Sequence, residues 1–274
     1  MTQAPHVRAV HRALDILDFL SANGPSSLQR LHAGTGLSKG ALRRLLATLA
    51  DRRVVRLGLS DGMYRANIAA PGRVDAERTA RIGRLVETAR PHMLALTAQV
   101  RWPSDLHIYA NGRMHILEST HGLSPFGVED APGPDSELNI FGCASGLAWL
   151  ATLRDADALA LVEQLAHDEF GALSRFGVSP ARLLADLATV RAQGYASRRV
   201  SQRRQDHRCA IAVAITAPDG AIGALTISWR REAMSVEDFA ALHAAPLRRA
   251  AEAVSKALSQ SSGVKKAAAS QSRP

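Results

Sequence analysis

The sequence predicts an α+β protein in two domains, and three observations support this fold class. In the first 50 residues, apolar side chains recur at intervals of three and four, the spacing of short amphipathic helices. Pairs of strand-like segments joined by turn residues occupy 54–67, 105–120 and 209–229. Longer helical patterns separate and follow these hairpins, which is typical of helices covering an antiparallel sheet.

The first quarter of the chain predicts three helices followed by a hairpin. A first helix fits 7–21, and the short segment "SLQRLHAGTG" predicts a second helix that ends at Gly36. Ser38 is a suitable N-cap for a third helix within "LSKGALRRLLATLADRR". Two short strands then flank Ser60-Asp61-Gly62, a hairpin turn by residue type. This order predicts a winged helix-turn-helix domain over 1–72.

The third helix carries two different faces. Four leucines with i, i+3, i+4, i+7 spacing form an apolar stripe: Leu42, Leu45, Leu46 and Leu49. The opposite arc is small and basic: Gly40, Arg43, Arg44 and Ala47. A helix that enters the major groove needs such an arc, and an arginine pair with guanine discriminates bases by about 1–3 kcal/mol. Ser38 and Lys39 at the helix start suit the phosphate backbone. A solvated basic face is the alternative, which the preceding helix, turn and wing disfavour.

Charge and cysteine content limit the function classes. Residues 1–72 hold ten Lys and Arg against four Asp and Glu, within a net charge of +9. This asymmetry indicates a polyanionic partner for the first domain, although a general arginine bias accounts for part of it. The two cysteines, Cys143 and Cys209, argue against a disulfide framework. No apolar run approaches the roughly 20 residues of a membrane span. We therefore expect a cytoplasmic protein without a signal peptide or membrane partner.

The rest of the chain predicts a linker and a second domain. A helical pattern from Val74 to Val100 is interrupted near Pro91, so we expect a linker helix over 73–90 and an α+β domain over 91–259. Asn111-Gly112 is a two-residue hairpin turn. A Gly-, Pro- and Ser-rich loop follows. The expected helices after it begin at Ser145 and cover 155–166, 179–193 and 235–258. A disordered tail is expected over 260–274.

Several segments together resemble the IclR-type bacterial regulators. "RALDILDFL", "LQRLHAGTGLSKGALRRLLATL" and "MYRAN" are similar to the DNA-binding half of that family, and the wing arginine Arg65 joins the expected DNA contacts. "CASGLAWLA" and "CAIAVAITAPDGAIGALTIS" resemble its effector-binding half. The resemblance extends to about residue 258. It implies a winged-helix domain joined to a GAF-like effector-binding domain, in dimers or tetramers that bind double-stranded operator DNA.

The resemblance also implies effector contacts. Three strand positions match family residues that contact small organic acids: Cys209, Thr226 and Ser228. Ala144 and Ser145, at a helix start, match another ligand-facing segment, and free N–H groups there favour a carboxylate. The alternative for Thr226 and Ser228 is an ordinary solvent-facing strand surface.

Two departures from the family pattern affect recognition. Gly40 and Ala41 stand where family members commonly have Ser or Thr, so the arginines are expected to carry more of the DNA readout. The loop before Cys209 is basic where acidic residues are common, and it supplies four arginines that favour an anion: Arg198, Arg199, Arg203 and Arg204. A solvated basic loop is the alternative.

The segment 102–126 suggests a particular ligand. It resembles the family branch that regulates catabolism of hydroxyphenylpropionate and related aromatic acids. The aromatic residues Trp102, Phe126 and Phe141 would then supply apolar walls.

The sequence disfavours catalysis. It contains no H-E-x-x-H, C-x-x-C or P-loop motif, and we expect no metal or cofactor. The alternatives to a ligand-responsive regulator are a GAF-like-fold enzyme with an appended nucleic-acid-binding module and a nucleoid-type binder without an effector. The lack of a coherent acid, base and nucleophile set in 100–258 disfavours the enzyme, and the size of the second domain disfavours the nucleoid-type binder.

Overall fold

The computed structural model describes residues 7–67, 76–127, 131–199, 207–218 and 220–271. It divides into two compact units, Met1–Glu87 and Thr88–Pro274. The division lies fifteen residues beyond the predicted boundary at 72. The beginning of the predicted linker belongs with the first unit, because the Asn67 side chain donates to Glu87 Oε1 at 3.1 Å.

The first unit begins with the three predicted helices. They are α1 (Arg8–Asn23), α2 (Leu28–Thr35) and α3 (Lys39–Asp51). Ser27 caps α2 by accepting from the Arg30 N–H, and Ser38 caps α3 by accepting from the Ala41 N–H. Gly36 ends α2 in the left-handed conformation, with φ of 69°, which glycine adopts at little cost. The turn between α2 and α3 therefore follows from local residue chemistry.

A small hairpin completes the winged helix-turn-helix. Strand β1 (Val55–Leu57) pairs antiparallel with β2 (Tyr64–Ala66), and Gly62 has a positive φ of 64° in their turn. The core below it consists of residues from all three helices and β1: Ile16, Leu17, Leu20, Leu31, Leu42, Leu46 and Val55. Two of the four stripe leucines of α3 are thus buried, and the other two pack at the edge of this core.

The second unit is built on a six-stranded antiparallel sheet in the order β5-β4-β3-β8-β7-β6. Its strands are β3 (Ser104–Ala110), β4 (Arg113–Ser119), β5 (Glu137–Asn139), β6 (Ala196–Ser197), β7 (Arg208–Ala217) and β8 (Gly220–Arg230). Asn111 and Gly112 both have positive φ, as the predicted two-residue turn requires. The sequence did not predict the edge strands β5 and β6.

Helices cover both faces of this sheet. The chain continues through α4 (Ala76–Val100), α5 (Ala144–Leu150), α6 (Asp155–Gln164), α7 (Pro180–Gln193) and α8 (Val236–Gln271). On one face, Trp229 of β8 stacks on Phe239 of α8 with ring centroids 3.7 Å apart. On the other face, Ala212 and Ala224 join the core formed by α5 and α7. The α+β fold class is confirmed.

Two helices are longer than the sequence predicts. Helix α4 passes through Pro91, where an interruption is expected. Proline removes one hydrogen bond, and the burial of Ala89 and Met93 on either side keeps the helix packed. The backbone of α8 is helical to Gln271, where a disordered tail is expected from residue 260. The alanines and lysines in this segment are strong helix formers.

Candidate functional site

The surface of α3 presents the predicted basic arc. Six of the expected DNA contacts are exposed on this helix or at its cap: Ser38, Lys39, Gly40, Arg43, Arg44 and Ala47. Leu42 and Leu46 are buried beneath them, so packing fixes which face of the helix points outward. The space beside Gly40 is open, since an added Cβ would meet no atom within 4 Å. The arc therefore has the shape and charge for close approach to a polyanion.

Arg65 does not belong to this surface. Only 5% of the residue is exposed, and its guanidinium makes a bidentate pair with Asp61 at 2.7 and 3.1 Å. The Asp61 carboxylate already neutralises the arginine and braces the wing turn. The expectation that Arg65 contacts DNA is corrected by this geometry, because a buried, paired guanidinium is not available to a phosphate.

A cavity of about 850 Å³ lies in the second unit, between the sheet and α5. All five predicted effector residues are among those that line it: Ala144, Ser145, Cys209, Thr226 and Ser228. Its size is within the usual range for small-molecule sites. The structure thus brings together residues that are more than 80 positions apart in the sequence. Their role as effector contacts stays a prediction.

The strand register separates Cys209 from the two hydroxyl residues. Thr226 lies opposite Ala212 and Ser228 opposite Ala210, on the face that α5 covers. Cys209 lies opposite Trp229, whose ring stacks on α8. Because side chains alternate along a strand, the Cys209 side chain is on the face away from Thr226 and Ser228. Cys209 nevertheless belongs to the residues that line the cavity, and its role as an effector contact stays a prediction.

A buried hydrogen-bond chain crosses the cavity floor. His107 Nδ1 lies 2.6 Å from Ser145 Oγ, and its Nε2 lies 3.4 Å from Thr226 Oγ1. Thr226 donates its hydroxyl proton to the Asp105 carbonyl, so it accepts from Nε2–H. The Ser145 hydroxyl then donates to Nδ1. Burial lowers the His107 pKa to about 4, which leaves the imidazole neutral at pH 7, as this chain requires.

Asp105 is a carboxylate at the same floor. Burial raises its pKa, but His121, His107 and the Ser119 hydroxyl outweigh burial and hold the pKa below its usual range. Its Oδ2 lies 3.7 Å from His121 Nε2, which is in turn 3.5 Å from Ser228 Oγ. The group is therefore ionised at neutral pH although only 6% of the residue is exposed.

Arginines line another part of the cavity. They are Arg175, Arg198, Arg199 and Arg208. Arg199 forms an ion pair with Asp186 and donates from Nε to the Phe141 carbonyl at 3.0 Å. Two of the predicted anion-favouring arginines, Arg198 and Arg199, thus reach the cavity. The other two, Arg203 and Arg204, lie outside the described residues.

The aromatic walls differ from those expected. Phe170 and Phe176 line the cavity, whereas Trp102, Phe126 and Phe141 are not among its lining residues. Trp102 instead packs on Phe126, with ring centroids 4.7 Å apart. Phe141 is fully buried in the core. The expectation about these three residues is corrected, because they pack against protein rather than ligand space.

The arrangement favours binding over catalysis. Ser145 and His107 have the contact distance of a nucleophile and its base, but an imidazole with a pKa of about 4 is a weak base. Burial raises the pKa of the Cys143 thiol, which suppresses its thiolate. Within the part of the chain that the structure describes, no three His, Cys, Asp or Glu residues are placed to hold a metal ion. None of the described helices has the length and apolar content to cross a membrane.

Sequence reasoning missed Asp105, His107 and His121. One signal for the first two was present in "SDLHIYA", where polar residues at 105 and 107 alternate with Leu106 and Ile108. Such alternation predicts that both polar side chains share one strand face. His121 follows β4 in a short 3-10 turn and had no comparable pattern.

Comparisons with known proteins agree with this architecture. A family model described as the IclR helix-turn-helix domain matches residues 9–57. A second model, described as the bacterial transcriptional regulator IclR C-terminal domain, matches residues 79–256. Together the two models cover most of both units.

The individual relatives that we compared share less than 30% sequence identity with this chain. The chain is 29% identical over 192 residues to "HTH-type transcriptional regulator BhcR" of Paracoccus denitrificans, a match that covers 69% of this chain and 66% of that protein. The solved IclR of Thermotoga maritima gives a TM-score of 0.57 at 17% identity, covering 92% of this chain and 99% of that one. An IclR-family regulator from Brucella abortus gives 0.55 at 18% identity, covering 92% and 93%. These structural similarities support the shared fold.

Proposed function

The chain belongs to the IclR family of bacterial transcriptional regulators, and on that premise we propose that it binds operator DNA and senses a small organic acid. We expect it to control a catabolic operon in the cytoplasm. The family is one of regulators and not of enzymes, so the hypothesis of a GAF-like-fold enzyme is not retained.

The observation that supports DNA reading best is the exposed arc of α3. Arg43 and Arg44 extend from a helix whose opposite face is locked into the core by Leu42 and Leu46. A fixed helix can present two guanidinium groups to base edges or phosphates, and phosphate contacts make the affinity salt-dependent. Ser38 and Lys39 add a capped helix start that suits the phosphate backbone of DNA.

The cavity of the second unit supports acid sensing. Its described lining includes four arginines, of which Arg199 is paired with Asp186, and two carboxylates, those of Asp105 and Glu137. Guanidinium groups favour an anion through charge-assisted hydrogen bonds. Phe170 and Phe176 supply apolar walls suited to an aromatic acid. The branch resemblance in 102–126 favours the same ligand class.

The proposed mechanism is a shift between two states. A dimer or tetramer places recognition helices on the half-sites of a palindrome. Acid bound in the cavity favours one of two arrangements of the assembly. The resulting change in operator affinity is limited by the ratio of the acid's affinities for the two arrangements. Activation and repression are both compatible with this linkage.

The test of DNA reading is fluorescence anisotropy on the intergenic DNA upstream of the gene, compared with scrambled DNA. We expect Arg43→Ala/Arg44→Ala to weaken specific binding at least about a hundredfold in a dimer, because each protomer loses two contacts. The slope of log binding constant against log salt concentration should become shallower by about 2 for each protomer that loses two phosphate contacts. Arg154→Ala/Arg182→Ala removes two exposed arginines of the second unit and serves as the matched control.

The outcomes separate the two interpretations of α3. A folded double variant that binds the specific DNA as tightly as wild type would mean that the arc is only a solvated surface. An equal loss in the Arg154→Ala/Arg182→Ala control would mean that net charge, rather than the α3 face, determines the affinity.

A further inference from the structure

A segment between α6 and α7 borders the cavity. We call this segment, residues 166–177, the strap, and three of its side chains line the cavity: Phe170, Arg175 and Phe176. Phe170 is 40% exposed and Arg175 is exposed as well, so both lie where the cavity meets solvent. The strap therefore forms part of the cavity entrance.

Arg175 presents a guanidinium group without an ionic partner at this entrance. The group donates to the backbone carbonyl of Glu169 and lies over the Phe170 ring, 5.9 Å from the ring centroid. Within the described part of the chain, no carboxylate pairs with it. Arg199, in contrast, is already paired with Asp186. Arg175 is therefore a cation of the cavity wall whose charge is open to a ligand.

We propose that Arg175 binds the carboxylate of the effector through charge-assisted hydrogen bonds and is a specificity-determining residue of the effector site. The ligand then has its acid group at the strap and its remaining atoms toward the buried floor. This inference rests on the proposed acid-sensing function and identifies the residue that holds the acid group. It differs from the family resemblance, which implies the start of α5 for that role.

The strap is attached to the sheet on the N-terminal side of Arg175. The Asp168 carboxylate pairs with Nη2 of Arg113 on β4 at 2.6 and 2.8 Å, and it accepts from the Gly171 N–H at 2.6 Å. The Asn139 side chain of β5 donates to the carbonyl of the strap residue before Gly171. These contacts fix the height of the strap above the cavity.

Packing holds the strap around Arg175 itself. Leu173 is buried, and the Phe176 ring packs against Gly142, where an added Cβ would overlap the ring. Gly177 then ends the short 3-10 turn with a φ of 64°. Because the backbone is held on both sides of Arg175, little backbone freedom is lost when the guanidinium binds a ligand. Such pre-organisation favours affinity.

Phe170 joins the charged and apolar parts of the entrance. The guanidinium of Arg113 lies 4.8 Å from the Phe170 ring centroid, on the same strap residue that Arg175 approaches. The ring orients nearby guanidinium groups by cation–π attraction. It also lines the cavity, so an apolar part of the ligand can pack on it next to the carboxylate.

The buried floor is less suited to the acid group. Asp105 is ionised at neutral pH and His107 is neutral there, so a ligand carboxylate beside them would meet a negative charge without a compensating cation on the imidazole. The Ser145 hydroxyl is already directed to His107. Glu137, the other carboxylate of the described lining, lies 3.8 Å from Arg113 Nε, which balances part of its charge. The strap is thus the favourable end for an anion.

Matched acids and amides test the inference on the full chain by isothermal titration calorimetry near neutral pH. The aromatic pair is 3-phenylpropionate and 3-phenylpropionamide, and the aliphatic pair is propionate and propionamide. We expect wild type to bind the acid of at least one pair about tenfold or more tightly than its amide, the effect of hydrogen bonds to a charged group. Arg175→Gln should weaken binding of that acid about tenfold or more and leave binding of the amide within about twofold. Arg154→Gln, which removes an exposed arginine at the N-cap of α6 outside the described cavity lining, is the matched control.

The outcomes separate this inference from acid sensing as such. A full acid preference in folded Arg175→Gln overturns the inference and leaves acid sensing intact, because the carboxylate is then bound elsewhere, such as at the start of α5. An equal loss of acid and amide binding in that variant also overturns it, since Arg175 would then shape the cavity rather than pair with the carboxylate. An equal loss of acid binding in the Arg154→Gln control overturns it in favour of a general charge effect. If wild type prefers neither acid over its amide, the acid-sensing proposal fails and the inference fails with it.

Discussion

His107 carries no charge at neutral pH because burial lowers its pKa to about 4, and nearby Asp105 only partly opposes this effect. The neutral ring has one donor and one acceptor nitrogen, and the hydrogen-bond chain uses both. A protonated ring would have two donors, so Ser145 would accept from Nδ1 instead of donating to it. The protonation state of His107 thus determines the direction of one hydrogen bond at the cavity floor.

This linkage predicts a pH-dependent stability. The unfolded histidine takes up a proton near its ordinary pKa of 6.5, whereas the folded one does so only near 4. The stabilising contribution is therefore fully present above about 6.5 and is lost as the pH falls to about 4, by about 3 kcal/mol in total. We expect His107→Gln to show a flatter dependence of unfolding free energy on pH in that interval, measured by urea denaturation at each pH.

His167→Gln, at an exposed position, is the control for loss of one histidine. If His107→Gln kept the full slope of wild type between pH 6.5 and 4, another group would be responsible. His243 is the next to consider, since burial lowers its pKa as well.

Individual residues differ in how far the sequence predicts them. The α3 arginines follow from helical periodicity, which depends only on neighbours in the chain. Arg65 had the correct residue type and position for a DNA contact, but its pairing with Asp61 depends on the closed wing turn. Cys209 was assigned by resemblance, and only the register between β7 and β8 reveals its face.

Two helical glycines on different elements have opposite surroundings. In α3, a Cβ at Gly40 would meet nothing within 4 Å, whereas in α5 a Cβ at Gly146 would lie 2.0 Å from the Ile140 carbonyl oxygen. The first glycine thus faces open space at the basic arc. The second allows α5 to approach the backbone that precedes it.

We therefore expect opposite effects of the same substitution. Gly40→Ala should stabilise the first unit by about 0.5–1 kcal/mol, since alanine is the better helix former, yet weaken DNA binding if close approach matters. Gly146→Ala should destabilise the second unit by about 1–3 kcal/mol through overpacking. Thermal unfolding and DNA anisotropy of both variants check this. Undiminished DNA affinity in Gly40→Ala would contradict close backbone approach, and unchanged stability in Gly146→Ala would contradict the tight contact.

Elements with strong local signals were predicted, and those without were not. Asn111-Gly112 defined the β3–β4 hairpin, and Ser38 defined the start of α3. Strands β5 and β6 have three and two residues, too few to show an alternation. They exist because β4 and β7 have backbone groups to pair, which is information from tertiary structure.

At the scale of the whole molecule, α1 presents an apolar surface. Val7, Val10 and Leu14 are 64%, 55% and 47% exposed, at successive helical spacings on one side. We expect the dimer contact to use this side of α1 together with the 74–90 linker, whose residues 74 and 75 lie outside the described part of the chain.

We expect Val10→Ser/Leu14→Ser to shift the protein toward monomers in sedimentation velocity and to weaken binding to palindromic DNA. Leu242→Ser, on α8, removes another exposed leucine, which is 60% exposed, and is the control. An unchanged oligomeric state in the α1 variant would place the contact elsewhere. The DNA measurement then shows whether dimer formation and operator binding are linked.

The division of the chain into two units of different character was predictable from the sequence, because net charge and hydrophobic periodicity both change along the chain. The composition of the cavity was not. Its floor joins β3, β8 and the start of α5, and no local pattern indicates that Asp105, Ser145 and Thr226 meet. The resemblance identified the hydroxyl positions, while Asp105 and His107 could be placed beside them only from the fold.

The short edge strands have a consequence for solubility. A long exposed edge is a template on which another chain can add a strand, and repeated addition leads to fibres. Here the six-stranded sheet ends in β5 and β6, which have only three and two residues to pair with an added strand. Strand addition to β5 and β6 themselves is thereby discouraged, and the exposed apolar side of α1 is a separate surface available for self-association.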